Sequence, residues 1–362
     1  MEAKEYLKKY KKDFEPLLRE YFDSKKKSFK KVDPLAYDAV KILEKFTLSG
    51  GKRIRPAMVY YGFLLAGGDI EKENKKKIVH ASIAIELIHS FLLIHDDIID
   101  RDEKRHGTDT VHENYRKIAE KLFPATDPDH FGNSMAIIVG DLAASMANEV
   151  LFEADFPSET ILAALKQLQK VVYTTIPGEM LDVLMEAKGE GSEEEILRMY
   201  EGKTAFYTFE GPLHLGIILA NTGSDELLRI ISNYSGAIGK AFQLQDDILG
   251  IFGDEKKLGK PIGSDIIEGK QTLLLRKALD NGSDEDKRRL EEVLNKNDLS
   301  SQELADFQRI IEDSGSLDYS RKLAKDFSEK ALNELKKINK KHNKEARNFL
   351  EEITKYISNR DC

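Results

Sequence analysis

Cysteine, tryptophan and proline are scarce in this sequence. Its 362 residues include one cysteine, no tryptophan and nine prolines. The single cysteine, Cys362, excludes a disulfide framework or a thiolate metal cluster within the chain and suits a reducing compartment. The opening residues, MEAKEYLKKYKKDFEP, contain no apolar stretch, so a secretory signal is not expected. We therefore predict a cytoplasmic protein.

The chain also lacks an excess of basic residues. Its 56 Lys and Arg residues stand against 64 Asp and Glu residues, which gives a formal net charge of −8. Because binding to nucleic acid requires a basic surface, this balance disfavours nucleic acid as the main ligand. The content of 41 % hydrophobic and 33 % charged residues is ordinary for a soluble globular protein, and the length allows one large core or two modest ones.

Alternating apolar and polar runs, the usual sign of strands, are scarce as well, whereas residues that favour helix are abundant. In residues 78–100 the apolar side chains cover nearly every face, which indicates a helix buried in a bundle. The histidines, Glu86 and the terminal aspartates of this stretch argue against a transmembrane segment. Further helices are predicted over residues 136–154, 159–176, 193–220 and 225–252. No flexible linker divides the chain, so we predict one all-α domain over residues 1–362.

An acidic motif occurs twice, each time at the end of a long apolar helix. The two copies are His95-Asp96-Asp97-Ile98-Ile99-Asp100 and Gln245-Asp246-Asp247-Ile248-Leu249-Gly250. Asp96 and Asp100 share one helix face, whereas Asp97 points about 100° away. One such motif alone is most simply an exposed acidic helix end. The repetition favours a site for cations, and oxygen ligands suit Mg²⁺ bound together with phosphate.

Basic residues in short motifs supply the complementary charge. Lys52, Arg53 and Arg55 follow a Gly-Gly pair, and others stand alone at Arg105, Lys203, Lys260 and Lys270. Lys and Arg are the usual diphosphate ligands. Neither the P-loop pattern nor a GxGxxG turn is present in the sequence, so side chains and metal are expected to hold the phosphate.

In order along the chain, these motifs resemble those of the trans-isoprenyl diphosphate synthases, a family of head-to-tail prenyltransferases. The resemblance covers roughly residues 35–290 and rests on six motifs. They are Gly51–Pro56, Glu86–His89 with Asp96–Asp100, Gly202–Thr204, Phe242–Asp247, Gly259-Lys260 and Gly269-Lys270.

The resemblance implies an all-α bundle of the class I isoprenoid synthase fold around a central cavity, normally a homodimer. It implies two or three Mg²⁺ ions held by Asp96, Asp100 and Asp246, with Asp97 and Asp247 in support. The residues implied for the allylic diphosphate are Arg105, Lys203, Thr204, Gln243 and Lys260. Those implied for isopentenyl diphosphate are Lys52, Arg55, His89 and His106, with Lys270 at the rim of the site.

Four departures from the family pattern stand out. His106 replaces the second arginine of an Arg-Arg-Gly sequence, and Gly250 replaces a third aspartate, for which Asp254 is a possible substitute. Glu179 replaces the glutamine of a Gly-Gln motif, and residues 117–134 look like a lengthened link to the following helix. The metal and leaving-group residues are intact, so activity is expected.

Product length is expected to depend on the helix before the first motif. Phe91 lies five residues before Asp96, where the family commonly places an aromatic side chain that limits the product, and Ile88 and Leu92 lie beside it in sequence. One bulky residue favours geranylgeranyl diphosphate (C20), made from dimethylallyl, geranyl or farnesyl diphosphate. The alternatives are a C15 product, a C25 or longer product, and plain core packing for Phe91.

Two other functions are compatible with these motifs. A class I terpene cyclase also uses an aspartate-rich site, but it has no use for Lys52, Arg55 and His89 as a second diphosphate site. A non-catalytic partner subunit of a synthase is the other alternative, and the retained aspartates and lysines argue against it.

Overall fold

The computed structural model describes residues 1–254, 262–294, 296 and 298–359. Within these ranges the chain is almost entirely helical, which confirms the all-α prediction; the strands described are two residues each. The first helices are α1 (Ala3–Val32), α2 (Pro34–Leu48), α3 (Ile54–Leu65), α4 (Lys72–Ala81) and α5 (Ile83–Ile99). The hairpin strands β1 (Lys104–Arg105) and β2 (Thr108–Asp109) precede α6 (Val111–Leu122), α7 (Pro128–Phe152), α8 (Ser158–Lys188) and α9 (Glu193–Tyr200). A π-helix (Glu201–Glu210) then leads into α10 (Gly211–Ala220) and α11 (Asp225–Phe252). The remaining helices are α12 (Ser264–Ile267), α13 (Leu273–Asn281), α14 (Asp284–Val293), α15 (Ser301–Asp313), α16 (Ser316–Leu335) and α17 (Lys344–Ser358).

Two compact units can be distinguished, and each is described by itself. Unit 1 comprises Met1–Leu168 with Pro212–Gly223, and unit 2 comprises Gln169–Gly211 with Ser224–Cys362. The prediction of a single domain over residues 1–362 stays a prediction.

The core of unit 1 surrounds α5, which packs against α7. Six apolar residues of α5 are buried: Ile83, Ala84, Ile85, Leu87, Ile88 and Ile94. Helix α1 covers part of this core because its buried residues, such as Tyr10, Phe14 and Leu18, recur every three to four positions and so form one face. The core therefore fixes α5, whose last turn carries the first acidic motif.

The long helix predicted over residues 78–100 is interrupted. Helix α4 ends at Ala81 and α5 begins at Ile83. The Ser82 hydroxyl between them donates to the Val79 carbonyl oxygen at 2.6 Å and lies 2.6 Å from the Tyr10 hydroxyl. A serine hydroxyl that bonds back to the preceding turn often bends a helix, which accounts for the break.

In unit 2, α11 packs against the π-helix and α16. The predicted helix over residues 225–252 coincides with α11, because the Ser224 side chain caps its start and Gly253 follows its last residue. The stretch predicted as helical over residues 193–220 is helical throughout, but its middle part, Glu201–Glu210, is a π-helix and not an α-helix. Helix α8 continues past the predicted end at residue 176 and through Pro177 to Lys188.

The region predicted as a lengthened link, residues 117–134, is mostly helical. Helix α6 ends at Leu122, and α7 begins at Pro128. The Asp127 side chain caps the first turn of α7. The connection between the two helices is therefore residues 123–127 alone. The start of α7 lies eight residues before the start predicted for that helix.

Two helical stretches are long and apolar enough to cross a membrane by length and composition alone. They are Lys72–Ile99 and Pro128–Phe152. In the most apolar 18 residues of each stretch, 67 % and 44 % of the residues, respectively, are buried inside the protein. A helix buried in a protein core passes the same test, so these stretches are weak evidence for membrane insertion. The absence of a transmembrane segment stays a prediction.

Candidate active site

The first acidic cluster comprises Asp96, Asp97, Asp100 and Asp102 together with Arg105. Asp97 is fully buried, and one of its oxygens accepts a hydrogen bond from the Arg105 Nε at 2.5 Å. The Arg105 guanidinium also lies 3.3 Å from a carboxylate oxygen of Asp102 and 3.6 Å from one of Asp96. Asp97 thus anchors the arginine, whereas Asp96 and Asp100 remain partly exposed at the end of α5.

The electrostatics of this cluster favour an added cation. Burial raises the pKa of Asp97 to about 7, although the Arg105 ion pair opposes this rise. Among the described residues, Asp97 Oδ2 has no hydrogen-bond partner. Asp96 and Asp100 lie at the C-terminal end of α5, where the helix dipole disfavours negative charge. A bound cation would relieve this accumulation of negative charge.

The β1–β2 hairpin positions Arg105 and His106. Both turn residues, His106 and Gly107, have positive φ angles of 51° and 74°, as a type I′ turn requires. The His106 ring packs against Gly50, where an added Cβ would lie 3.0 Å from the ring. Burial, with help from Arg105 and Arg53, lowers the pKa of His106. The imidazole is therefore mainly neutral at neutral pH.

The basic run after Gly51 divides into residues with different environments. Arg53 is buried; its Nε donates to Glu15 at 2.9 Å and its Nη1 donates to Glu86. Lys52 is exposed. Arg53 was predicted as one of the cations beside the Gly-Gly pair, but in the structure it is the centre of a buried ion-pair network.

Arg55 and His89, two of the residues implied for isopentenyl diphosphate, lie together. The Arg55 Nη1 lies 3.1 Å from the His89 Nε2. Burial and the neighbouring Arg55 lower the pKa of His89 well below its usual value. A neutral His89 therefore accepts a hydrogen bond from Arg55 and fixes the direction of the guanidinium.

The residues predicted to control product length differ in exposure. Ile88 is buried, whereas Phe91 and Leu92 are half-buried on α5. Of these three, Phe91 and Leu92 have surface with which to line a cavity.

The second acidic cluster lies on α11. Asp247 is buried and accepts hydrogen bonds from the Gln243 Nε2 at 3.0 Å and from the Tyr200 hydroxyl. Tyr200 in turn accepts from the Leu273 backbone N–H at 3.1 Å. Burial raises the pKa of Asp247 to about 8, although both hydrogen bonds oppose the rise. Asp246 is half-buried, so this pair repeats the arrangement of Asp97 and Asp96.

Gly250 leaves room for another carboxylate. A Cβ at Gly250 would lie 2.7 Å from a carboxylate oxygen of Asp265, at the start of α12. Asp265 therefore approaches the position from which the family's third aspartate is absent. Asp254, the substitute suggested from the sequence, is exposed beyond the end of α11. Nothing in the motif spacing pointed to Asp265.

Lys203 and Lys270 share a buried carboxylate. The Lys203 Nζ donates to Asp182 at 2.8 Å and to Glu179 at 3.2 Å, and the Lys270 Nζ donates to Asp182 at 3.4 Å. Asp182 is 4 % exposed. Both lysines and Glu179 stand in motifs singled out from the sequence, whereas Asp182 was not predicted as a site residue. Its position one turn after Glu179 on α8 was the available signal.

Two glycines bring Lys203 to this position. A Cβ at Gly178 on α8 would lie 2.3 Å from the Lys203 backbone nitrogen, and a Cβ at Gly202 on the π-helix would lie 2.9 Å from the Gly178 Cα. The two helices are therefore almost in backbone contact there. On the π-helix, the Thr204 hydroxyl donates to the Gln243 side-chain oxygen at 2.6 Å. Lys203, Thr204, Gln243 and Asp247 therefore form one connected group. Lys260 lies outside the described residues.

The donor set is suited to a hard cation. Its side-chain ligands are carboxylate oxygens, which Mg²⁺ and Ca²⁺ prefer. Within the described ranges, no group of three or more His, Cys, Asp or Glu residues is arranged to hold a metal on its own. Mg²⁺ usually takes only one or two protein carboxylates and completes its shell with phosphate oxygens and water. The acidic clusters fit an ion that is bound together with a diphosphate.

Comparisons with known proteins point to one family. Residues 39–311 match the polyprenyl synthetase family. The geranylgeranyl diphosphate synthase of Saccharolobus solfataricus is 36 % identical over 292 residues, which cover 80 % of this chain and 81 % of that protein. The geranylfarnesyl diphosphate synthase of Natronomonas pharaonis is 32 % identical over 327 residues, covering 86 % and 87 %. The crystal structure of a geranylgeranyl pyrophosphate synthase from Corynebacterium glutamicum, complexed with isoprenyl diphosphate and magnesium, has a TM-score of 0.89 at 30 % identity and covers all of both chains.

Proposed function

We propose that this chain, which belongs to the polyprenyl synthetase family, elongates an allylic diphosphate with isopentenyl diphosphate. Members of this family are trans-prenyltransferases with the class I isoprenoid synthase fold, and so is this chain. The allylic substrate is dimethylallyl, geranyl or farnesyl diphosphate. The observation that carries the proposal is the repeated aspartate pair. In each pair one aspartate is buried and held by hydrogen bonds, whereas its neighbour on the chain remains partly exposed.

Asp96, Asp100 and Asp246 are the residues proposed to hold two or three Mg²⁺ ions. The ions would neutralise the diphosphate and stabilise the charge that develops as it departs. Asp97 and Asp247 would keep the two acidic clusters in place, because both are buried and hydrogen-bonded. The magnesium in the similar Corynebacterium structure supports this proposal.

Cationic side chains assist the departure of the diphosphate in this account. Arg105 and Lys203 are each held by buried carboxylates, Asp97 and Asp182, so their positions are fixed before substrate binds. Such preorganised charge stabilises a transition state without a cost for reorienting the groups. When substrate binds, Thr204 would turn its hydroxyl proton from Gln243 to the same diphosphate, and Gln243 would donate the N–H that Asp247 does not use. Lys260 is assigned there by family resemblance alone.

Lys52, Arg55, His89 and His106 would hold isopentenyl diphosphate. The double bond of this substrate attacks C1 of the allylic group as the C1–oxygen bond breaks. A proton then leaves C2 of the former isopentenyl unit to the released diphosphate, and a new double bond forms. This sequence needs no nucleophilic side chain, which agrees with the use of His89 as a hydrogen-bond acceptor for Arg55.

The proposed main product is geranylgeranyl diphosphate, with Phe91 and Leu92 as length-limiting residues. The similarity to geranylgeranyl diphosphate synthases supports a C20 product. The similar geranylfarnesyl diphosphate synthase keeps a C25 product as the alternative. The half-buried state of Phe91 is compatible with a place on the cavity wall.

A homodimer is also proposed. Helix α8 exposes a row of large apolar side chains at Tyr173, Ile176, Met180 and Leu184. Such a contiguous apolar face on a water-exposed helix is typical of a protein interface. Light scattering after gel filtration tests this: the account expects twice the 41.1 kDa chain mass, and a monomeric mass would overturn it.

Product analysis tests the proposed reaction. The purified chain is incubated with Mg²⁺, labelled isopentenyl diphosphate and each allylic primer, and the products are sized by chromatography. We expect elongation to C20, and loss of elongation after chelation or with Asp100→Asn. The matched control is Glu103→Gln, which removes an exposed carboxylate three residues further on. Full activity of Asp100→Asn would contradict the assigned metal site.

A further inference from the structure

Phe91 is supported by a second aromatic ring. Phe91 and His95 lie four residues apart on α5 and therefore share a face. Their ring centroids are 4.8 Å apart with an interplanar angle of 71°, an edge-to-face contact. His95 is thus a side chain against which the Phe91 ring packs.

His95 is itself held by α7. Its Nε2 lies 3.2 Å from the carbonyl oxygen of Ile137, to which it donates, and 4.0 Å from a carboxylate oxygen of Asp141. The ring also fills the space beside Gly140. A Cβ at Gly140 would lie 2.4 Å from the His95 Nε2 and 2.6 Å from its Cδ2. Only glycine at position 140 leaves the ring where it stands.

From these contacts we propose that His95 and Gly140 are positioning residues that set product length by fixing the orientation of Phe91. The proposal deepens the proposed function and rests on it, since it requires Phe91 to limit the growing chain. His95 does not touch substrate in this account. The His95 ring lies between α7 and Phe91 and contacts both, so the depth of the cavity depends on the packing of α5 against α7.

The two residues predict opposite effects when changed. His95→Ala removes the ring that supports Phe91, so Phe91 can turn into the vacated space and the cavity lengthens. Gly140→Ala adds a methyl group that displaces the imidazole towards Phe91, which shortens the cavity. A change in side-chain orientation of this kind alters a product ratio by about fivefold. In the His95→Ala background the methyl group meets no ring, so Gly140→Ala then has no further effect.

The test is the product distribution of the full-length enzyme, measured by liquid chromatography and mass spectrometry at saturating substrate. We expect His95→Ala to raise the C25-to-C20 ratio and Gly140→Ala to raise the C15-to-C20 ratio. The double variant should match His95→Ala. Ser145→Ala, at an exposed position of α7, is the matched control and should leave the distribution unchanged.

Two results would overturn the proposal. One is an unchanged distribution in both single variants while Phe91→Ala lengthens the product. The other is an equal effect of Gly140→Ala with and without His95. If His95→Ala does not fold, His95→Gln, which keeps a donor for Ile137 but lacks the ring, should still lengthen the product. Loss of elongation by the parent enzyme would instead refute the proposed function, so the two failures are distinguishable.

Discussion

Arg53 is predicted to stabilise the fold, whereas its neighbour Lys52 is predicted to bind substrate. The Arg53 side chain is 3 % exposed and lies between Glu86, at 5 %, and Glu15, at 19 %. Arg53→Met removes the cation but keeps most of the side-chain volume. The change leaves the buried Glu86 carboxylate without this cation, which typically costs about 3–5 kcal/mol, whereas the partly exposed Glu15 still lies 3.8 Å from Lys11 and 3.9 Å from Arg19.

The expected result is a large thermal shift. For units of 150–250 residues, about 2–4 °C are lost per kcal/mol, so Arg53→Met should lower the melting temperature by roughly 6–20 °C. Differential scanning calorimetry measures the shift, and steady-state kinetics below the transition measures substrate binding. Lys52→Ala is the control: its melting temperature should stay within about 1 °C of the parent because exposed substitutions cost little, while its KM for isopentenyl diphosphate rises. A stable Arg53→Met with a raised KM would refute this division of roles.

Three further predictions concern side chains around the candidate site. Glu179→Gln removes one of the two carboxylates that bind Lys203 and compete with the allylic diphosphate for its charge. The KM for the allylic diphosphate should therefore fall severalfold in steady-state kinetics, and a raised KM would contradict this. His106 has a lowered pKa and gains charge only as the pH falls, so the parent KM for isopentenyl diphosphate should decrease towards acidic pH. An arginine at position 106 is charged at every pH tested, so the His106→Arg variant should have a lower KM that does not change with pH. If the KM of this variant varied with pH as the KM of the parent does, His106 would be excluded as a ligand. Tyr200→Phe removes the hydroxyl that bonds the Asp247 carboxyl and the Leu273 N–H, so each loses a buried hydrogen-bond partner. Urea unfolding should show that the free energy of unfolding falls by about 1–3 kcal/mol. An unchanged free energy of unfolding would show that these hydrogen bonds contribute nothing.

Local signals were sufficient for some elements of the fold. The bounds of α11 follow from Ser224, which caps the helix, and from Gly253 after its end. The break at Ser82 depends on the bond from its hydroxyl to the Val79 carbonyl oxygen and on a contact distant in sequence, and the π-helix also lies at a distant contact. Ser82 contacts Tyr10, and the π-helix lies almost in backbone contact with α8 at Gly178. Helical periodicity carries no information about either contact.

The candidate site shows the same division. The repeated aspartates and the isolated cations were visible in the sequence because they occur in short motifs. Asp182, Tyr200 and Asp265 were not named as site residues, since each reaches the site from another helix. Asp182 and Tyr200 hold named residues, and Asp265 lies beside Gly250. The sequence also did not predict that Arg53 is buried and Lys52 is exposed, because two adjacent basic residues differ in burial only once the chain has folded.

The most direct test of the central claim is the identity and stoichiometry of the products. Purified enzyme, Mg²⁺, farnesyl diphosphate and isopentenyl diphosphate are combined, and prenyl products and released diphosphate are measured by mass spectrometry and a phosphate assay. The account predicts geranylgeranyl diphosphate and one diphosphate released for each isopentenyl unit added. Diphosphate release with a cyclised hydrocarbon, or no elongation of any allylic primer, would contradict it.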